Sequence, residues 1–135
     1  MNVNFKYFNR KQLPFNKEMN LFWKDNGFLV IEEFYDSLEC DKLRNKAHKL
    51  IKDFDPLSIQ SVFDTSNQKH AEDKYFLESG DKIHFFFEKN SFDKNGKLKN
   101  SKELSINKIG HALHDLDPVF YNFSHTEQLN NIAKS

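Results

Sequence analysis

Lys108 stands in the segment Leu104-Ser105-Ile106-Asn107-Lys108-Ile109, whose alternation predicts a strand over residues 104–109. A period of two puts Leu104, Ile106 and Lys108 on one side of it. An ammonium on an apolar face is costly unless it is paired or reaches water. Two readings therefore stand open: the side chain snorkels at the strand end, or an anion such as a carboxylate meets it in a pocket. His111 and His114 lie three residues apart, beside Asp115 and Asp117. On one helix face that spacing could bind a metal. However, Asp117-Pro118 marks a helix start after them, and on a strand or turn the two rings diverge as ordinary junction histidines. His70-Ala71-Glu72 has the His-x-acid form of a two-histidine, one-carboxylate iron site. It lies in the polar stretch of residues 64–73, which reads as a surface loop, and so short a pattern arises readily by chance. His48 and His84 have no evident partner. Cys40, early in a predicted helix with apolar neighbours, reads as a small buried hydrophobe rather than a reactive thiol. No phosphate-cradling glycine-rich motif and no G-x-S-x-G elbow occurs.

The elements that must position these groups follow from caps and periods. Met19, Phe22 and Trp23 share a helix face, with Asn16 as cap and Gly27 in the left-handed position after the end. Phe28-Leu29-Val30-Ile31 reads as a short buried strand. Residues 36–54 predict the longest helix. Asp36 and Glu39 make a capping box, and Tyr35 and Cys40 are placed as a hydrophobic staple. Leu43, Ala47, Leu50, Ile51 and Phe54 form its apolar face, and Lys42, Arg44, Lys46, Lys49 and Lys52 a basic outer face. Ser61-Val62-Phe63 is a candidate strand. In the strand over 82–88, Ile83, Phe85 and Phe87 point one way, His84 and Phe86 the other. Asn95-Gly96, between Phe92 and Leu98, is a hairpin signal. Ser124 and Glu127 suggest a second capping box, opening a helix with Leu129 and Ile132 on one side. Residues 1–14 have no clean period and read as a loosely ordered arm.

The bulk numbers bound the class. A chain of 135 residues suits a single domain, and 15 phenylalanines supply most of its core. Lys+Arg and Asp+Glu balance at 20 each, so no global field pulls on nucleic acid or an anionic membrane. With a mean hydropathy of −0.77, no run approaches the ~18 apolar residues of a membrane span. There is no secretory h-region, and one cysteine cannot make a disulfide within the chain. A cytoplasmic, reducing location is the expectation.

The segments Lys24-Asp25-Asn26-Gly27-Phe28-Leu29-Val30, Tyr75-Phe76-Leu77-Glu78-Ser79-Gly80-Asp81-Lys82-Ile83-His84-Phe85-Phe86-Phe87, Ser105-Ile106-Asn107-Lys108-Ile109-Gly110-His111-Ala112-Leu113-His114 and Asp117-Pro118-Val119-Phe120 resemble the phytanoyl-CoA dioxygenase family. The resemblance runs from about Leu21 to the end. It implies an α+β oxygenase built on a double-stranded β-helix (a jelly roll, cupin-like). It further implies an Fe(II)- and 2-oxoglutarate-dependent dioxygenase that hydroxylates a small organic substrate. In the family the lysine of the Ile-Asn-Lys-Ile-Gly-His segment helps bind 2-oxoglutarate, and here that residue is Lys108. The family's iron ligands and the arginine that holds the co-substrate lie beyond the matching segments, so the resemblance assigns no metal ligand and no catalytic residue within the chain. Residues 1–135 are accordingly expected to be the N-terminal helices and first strands of such a domain, inactive alone. A jelly roll closes with about eight strands, against roughly four or five here. Open sheet edges are then expected to favour self-association. The alternative is a truncated, non-catalytic binding or interaction module.

Overall fold

The computed structural model describes residues 5–64 and 73–135. In chain order the elements are β1 (Tyr7–Asn9), α1 (Lys17–Asn26), β2 (Val30–Glu32), α2 (Ser37–Asp53), α3 (Lys74–Leu77), β3 (Ile83–Phe87), β4 (Ile106–His111), α4 (Leu113–Leu116), α5 (Pro118–Ser124) and α6 (Glu127–Ala133). Short 3-10 turns cover Arg10–Gln12 and Lys102–Leu104. This is an α+β chain, and His70-Ala71-Glu72 lies outside the described residues. No helix among the described residues is long and apolar enough to cross a membrane. The chain divides into two compact units, Met1–Asp41 with Phe123–Ser135, and Lys42–Asn122.

In the first unit β1 pairs in parallel with β2, Phe8 opposite Ile31. The N-terminal arm expected to be loose is therefore tied down from Tyr7, and Phe8 is fully buried. Its ring meets Phe22 edge-on at 5.7 Å, and Phe22 meets Phe28 at 5.6 Å. A three-residue strand is too short to display a period, which is why the sequence hides it. Asn16 caps α1 through the Met19 N–H at 3.0 Å, and Gly27 closes it at φ 75°. Met19 is buried as the period requires, but Trp23 is half exposed. β2 begins two residues later than expected and is only half-buried. The Asp36–Glu39 capping box forms, with reciprocal bonds of 2.9 and 2.7 Å. Cys40 is exposed, not buried, and Leu38 beside it is exposed too. The first turn of α2 is uncovered, so the staple fails on the Cys40 side. Tyr35 stacks instead on Phe123 at 3.8 Å and donates its hydroxyl hydrogen bond to the Phe123 carbonyl. The cap of α6 is Thr126, not Ser124, because α5 runs through Ser124 and the Thr126 hydroxyl reaches the Leu129 N–H.

The second unit is built on the antiparallel pair β3–β4. Phe85, Phe86 and Phe87 are all buried, so both faces of β3 are covered. On one face Phe54 stacks on Phe85 at 4.2 Å, and Phe92 meets Phe87 at 4.7 Å. Beyond the edge of β3, Phe63 N–H donates to the Phe87 carbonyl and Phe87 N–H to the Ser61 carbonyl, so Val62 adds a parallel bridge. The hairpin signal holds in altered form. Gly96 alone has positive φ (76°), and Asp93 accepts from the N–H groups of Asn95 and Lys97. This is a three-residue loop with glycine at the left-handed position, not a two-residue turn. β4 starts at Ile106, and Leu104 belongs to the preceding 3-10 turn, exposed. Lys102 from that turn donates 2.6 Å bonds to the carbonyls of Lys52 and Phe54, satisfying orphan carbonyls at the end of α2.

Asp117 joins α2 to the start of α5. Its Oδ1 accepts from Val119 N–H at 3.0 Å, and its Oδ2 lies 2.7 Å from Lys46 Nζ. Lys46 thus faces inward, unlike the remainder of the expected basic face. Burial of Asp117 opposes its ionisation, but Lys46 and the Val119 and Phe120 N–H groups outweigh it and hold the carboxyl below its ordinary range. Asp117→Ala is expected to destabilise by roughly 2 kcal/mol or more, from a lost cap and a lost charged hydrogen bond. Because the folded pKa is lowered, this stabilisation is complete above the unfolded value of about 3.9 and is lost as pH falls through the folded one. Urea melts from pH 7 down to pH 2 should show that loss in the native chain and a flatter acid limb in Asp117→Asn.

Candidate functional site

The ladder places Lys108 opposite Phe86 and Ile106 opposite Phe87, with an irregularity between Phe86 and Phe87. Two residues of β4 advance while β3 advances one, so Asn107 is the bulged residue. Its side chain is turned to Glu88, with Nδ2 2.9 Å from Oε1. The bulge breaks the simple alternation. Ile106 falls on the Phe87 side and Lys108 on the Phe86 side, and Leu104 lies outside the strand. The face expected to carry Leu104, Ile106 and Lys108 together does not exist. Lys108 is nevertheless on an aromatic surface, built from other residues.

That surface is assembled from three segments. Phe63 comes from the bridge strand, Phe76 from α3 and Phe86 from β3. Phe76 and Phe86 meet edge-on at 5.6 Å, and Phe63 lies 5.9 Å from Phe76. The Lys108 ammonium stands 4.8 Å from the Phe63 ring centre and 5.7 Å from that of Phe76. Both distances are within cation–π range. Lys108 is half-buried, and among the described residues no carboxylate pairs with it. Tyr75 backs the wall. Its ring stacks on His84 at 3.9 Å, its hydroxyl accepts from the Phe85 N–H, and burial pushes its phenol pKa up.

His111 borders the same wall, with its ring 5.4 Å from Phe76 and 5.8 Å from Phe86. Its Nδ1 lies 2.7 Å from the hydroxyl of Ser79, a fully buried residue. That hydroxyl also contacts the Phe76 carbonyl, which can only accept. A hydroxyl has one proton to give, so Ser79 donates to the carbonyl and His111 Nδ1–H donates to Ser79. In the neutral imidazole the lone pair is then on Nε2. His114 is separate. It sits exposed in α4, with Nε2 3.3 Å from Asp115. Among the described residues no three His, Cys, Asp or Glu side chains converge as a metal would need. Elsewhere, a cleft of about 590 Å³ opens in the first unit between α1, β2 and α6, walled by Trp23, Ile31, Phe34 and Ile132.

Sequence reading finds Lys108 but misses Phe63, Phe76, Ser79 and Gly110 as its neighbours or supports. Only the Lys-Ile-Gly-His spacing on one strand could have flagged Gly110 and His111. A ring from a segment some 45 residues upstream leaves no local signal. Ring ¹⁵N NMR should find His111 protonated on Nδ1 in the native chain at pH 8. Ser79→Ala should shift that population towards the Nε2-protonated tautomer, and a native chain already in the Nε2 form would refute the assignment.

Comparisons with known proteins bear on this geometry. A family model described as Phytanoyl-CoA dioxygenase (PhyH) matches residues 23–135. A curated relative from Arabidopsis thaliana named phytanoyl-CoA dioxygenase is 47% identical over 114 residues, 84% of this chain and 40% of the relative. A phytanoyl-CoA dioxygenase domain-containing protein 1 homolog from Dictyostelium discoideum is 45% identical over 113 residues, and the Bos taurus phytanoyl-CoA dioxygenase domain-containing protein 1 is 41% identical over 118. Each match covers 84% of this chain and 40% of the relative, so the chain spans less than half of their length. The matched region takes in β3, β4, Lys108 and every ring that contacts it, and the chain belongs to the phytanoyl-CoA dioxygenase family.

Proposed function

We propose that the chain is the N-terminal part of an Fe(II)- and 2-oxoglutarate-dependent dioxygenase that hydroxylates a small organic substrate, and that Lys108 grips the carboxylate of 2-oxoglutarate remote from the keto group. The observation that carries this reading is the half-buried Lys108 ammonium, seated over Phe63 and Phe76 with no carboxylate partner among the described residues. The fit to one carboxylate is chemical. An ammonium has three donors, a carboxylate is acceptor-only, and a charge-assisted bond is about twice as strong as a neutral one. The apolar wall excludes water from one side of the pair and so strengthens the attraction.

The iron is a different matter, because no cluster of side chains among the described residues offers it a ligand set. Bound 2-oxoglutarate supplies the electrons of such a reaction by oxidative decarboxylation. What this chain contributes is the position of that molecule: Lys108 fixes one end, and the wall of Phe63, Phe76 and Phe86 fixes the direction from which the end is approached. Phe63 and Phe76 give the free ammonium a site to occupy, so little side-chain freedom is lost when the anion arrives.

Titration of the chain with 2-oxoglutarate should perturb the NMR signals of Lys108, Phe63 and Phe76. Lys108→Met should weaken that binding by about tenfold or more. Equal binding by the native and Lys108→Met chains would refute the reading. Given Fe(II) and 2-oxoglutarate, residues 1–135 alone are expected to release no carbon dioxide above a metal blank.

A further inference from the structure

We infer that Gly110 is a positioning residue whose missing side chain is what seats the Lys108 ammonium over Phe63 and Phe76. The inference rests on the reading of Lys108 as a carboxylate partner, and it concerns how that lysine is held. Residues 108 and 110 are i and i+2 on β4, with Phe86 and His84 as their partners across the ladder, so they share a face. Gly110 is buried, and a Cβ there would come 3.3 Å from Lys108 Cε and 3.9 Å from Lys108 Cγ. Among the described residues no other atom outside the adjoining residues lies within 4 Å of that position. The aliphatic stem of Lys108 is laid across the bare Cα of Gly110.

Gly110 precedes a cis peptide bond to His111. Gly27 and Gly96 occupy the left-handed region, whereas Gly110 does not. The φ of residue 110 does not itself demand glycine, and among the described residues other than its two chain neighbours an added methyl would meet one thing, a flexible lysine stem. Between a hydrogen-bonded strand and a mobile methylene chain, the chain yields. The stem must give by a few tenths of an ångström, and Nζ at its end moves with it from its position 4.8 Å from the Phe63 ring centre. Gly110 provides the room for the stem, and the two rings hold the head. The site is sensitive to any side chain at residue 110 even though that residue would not touch the anion.

Gly110→Ala, made in the full 135-residue chain, tests this. In the native chain the rings of Phe63 and Phe76 should shift the Lys108 ε-methylene protons upfield. In Gly110→Ala that shift should fall measurably while the signals of Phe86 and Phe87 keep their dispersion, and 2-oxoglutarate binding should weaken about two- to fivefold. Gly80→Ala is the control, because nothing lies within 4 Å of a Cβ there, and it should change neither measurement. A Gly110→Ala chain that keeps both the ring-current shift and the affinity would overturn the inference. So would one that loses its folded spectrum, because the glycine would then be a requirement of the strand. If Lys108→Met binds 2-oxoglutarate as the native chain does, the carboxylate reading fails separately, and the ring-current comparison still decides the role of Gly110.

Discussion

The pairing of Phe86 with Lys108 across the β3–β4 ladder is the contact on which the second unit turns. Three consecutive buried phenylalanines on β3 give the strand two apolar faces, and the two are used differently. Phe85 and Phe87 face Phe54 and Phe92 in close ring contacts at 4.2 and 4.7 Å, and that side is core. Phe86 faces Phe63, Phe76, His111 and Lys108, and that side carries the proposed site. Had the ladder run without its bulge, Lys108 would have shared a side with Ile106. One extra residue, Asn107, puts Ile106 on the Phe87 side while Lys108 stands opposite Phe86. Bulges recur next to functional sites because they re-aim a side chain without dismantling the sheet.

Much of the frame is legible in the sequence. Helix ends announce themselves through polar residues that satisfy orphan N–H groups. Asn16, the Asp36–Glu39 pair, Asp117 and Gly27 therefore read correctly. The hairpin at Gly96 is visible as a turn but not as its type, because Asp93 decides the type through side-chain bonds to N–H groups two and four residues on. The arm at residues 5–14 misleads because its order is a parallel pairing with β2, a non-local fact. Cys40 misleads because helix phase says which residues share a face, not whether anything covers that face. Lys108 stands out for a reason the bulge removes, and the reason that replaces it, two rings from distant segments, cannot be read from period or composition. The family likeness points to the lysine independently of both.

The site also shows how a supporting shell is divided among backbone, ring and void. Ser79 is fully buried and gives its only proton to the Phe76 carbonyl, which orients the imidazole of His111 and at the same time anchors the turn that carries Phe76. Phe76 is therefore fixed from below by Ser79 and from the side by Phe86. Positions that hold a reactive or binding group within fractions of an ångström depend on such neighbours more than on the group itself.

The balance of energies explains how Lys108 can stand over two rings with no carboxylate beside it among the described residues. Full burial of an unpaired ammonium would cost several kcal/mol, far more than ring contacts return. Half-burial leaves part of the hydration shell in place, so the cost falls to a size that cation–π contacts of about 0.5–2 kcal/mol can offset. Among the described residues the lysine is thus held without a carboxylate partner. A carboxylate from the same chain would have gained stability and closed the site, as Asp117 does for Lys46. The two lysines show the alternatives side by side: Lys46 is paired and its bond stabilises the fold, whereas Lys108 is seated on rings that attract it too weakly to compete with the carboxylate proposed as its ligand. A cation–π seat suits that task better than a salt bridge, because a ring positions the charge without neutralising it.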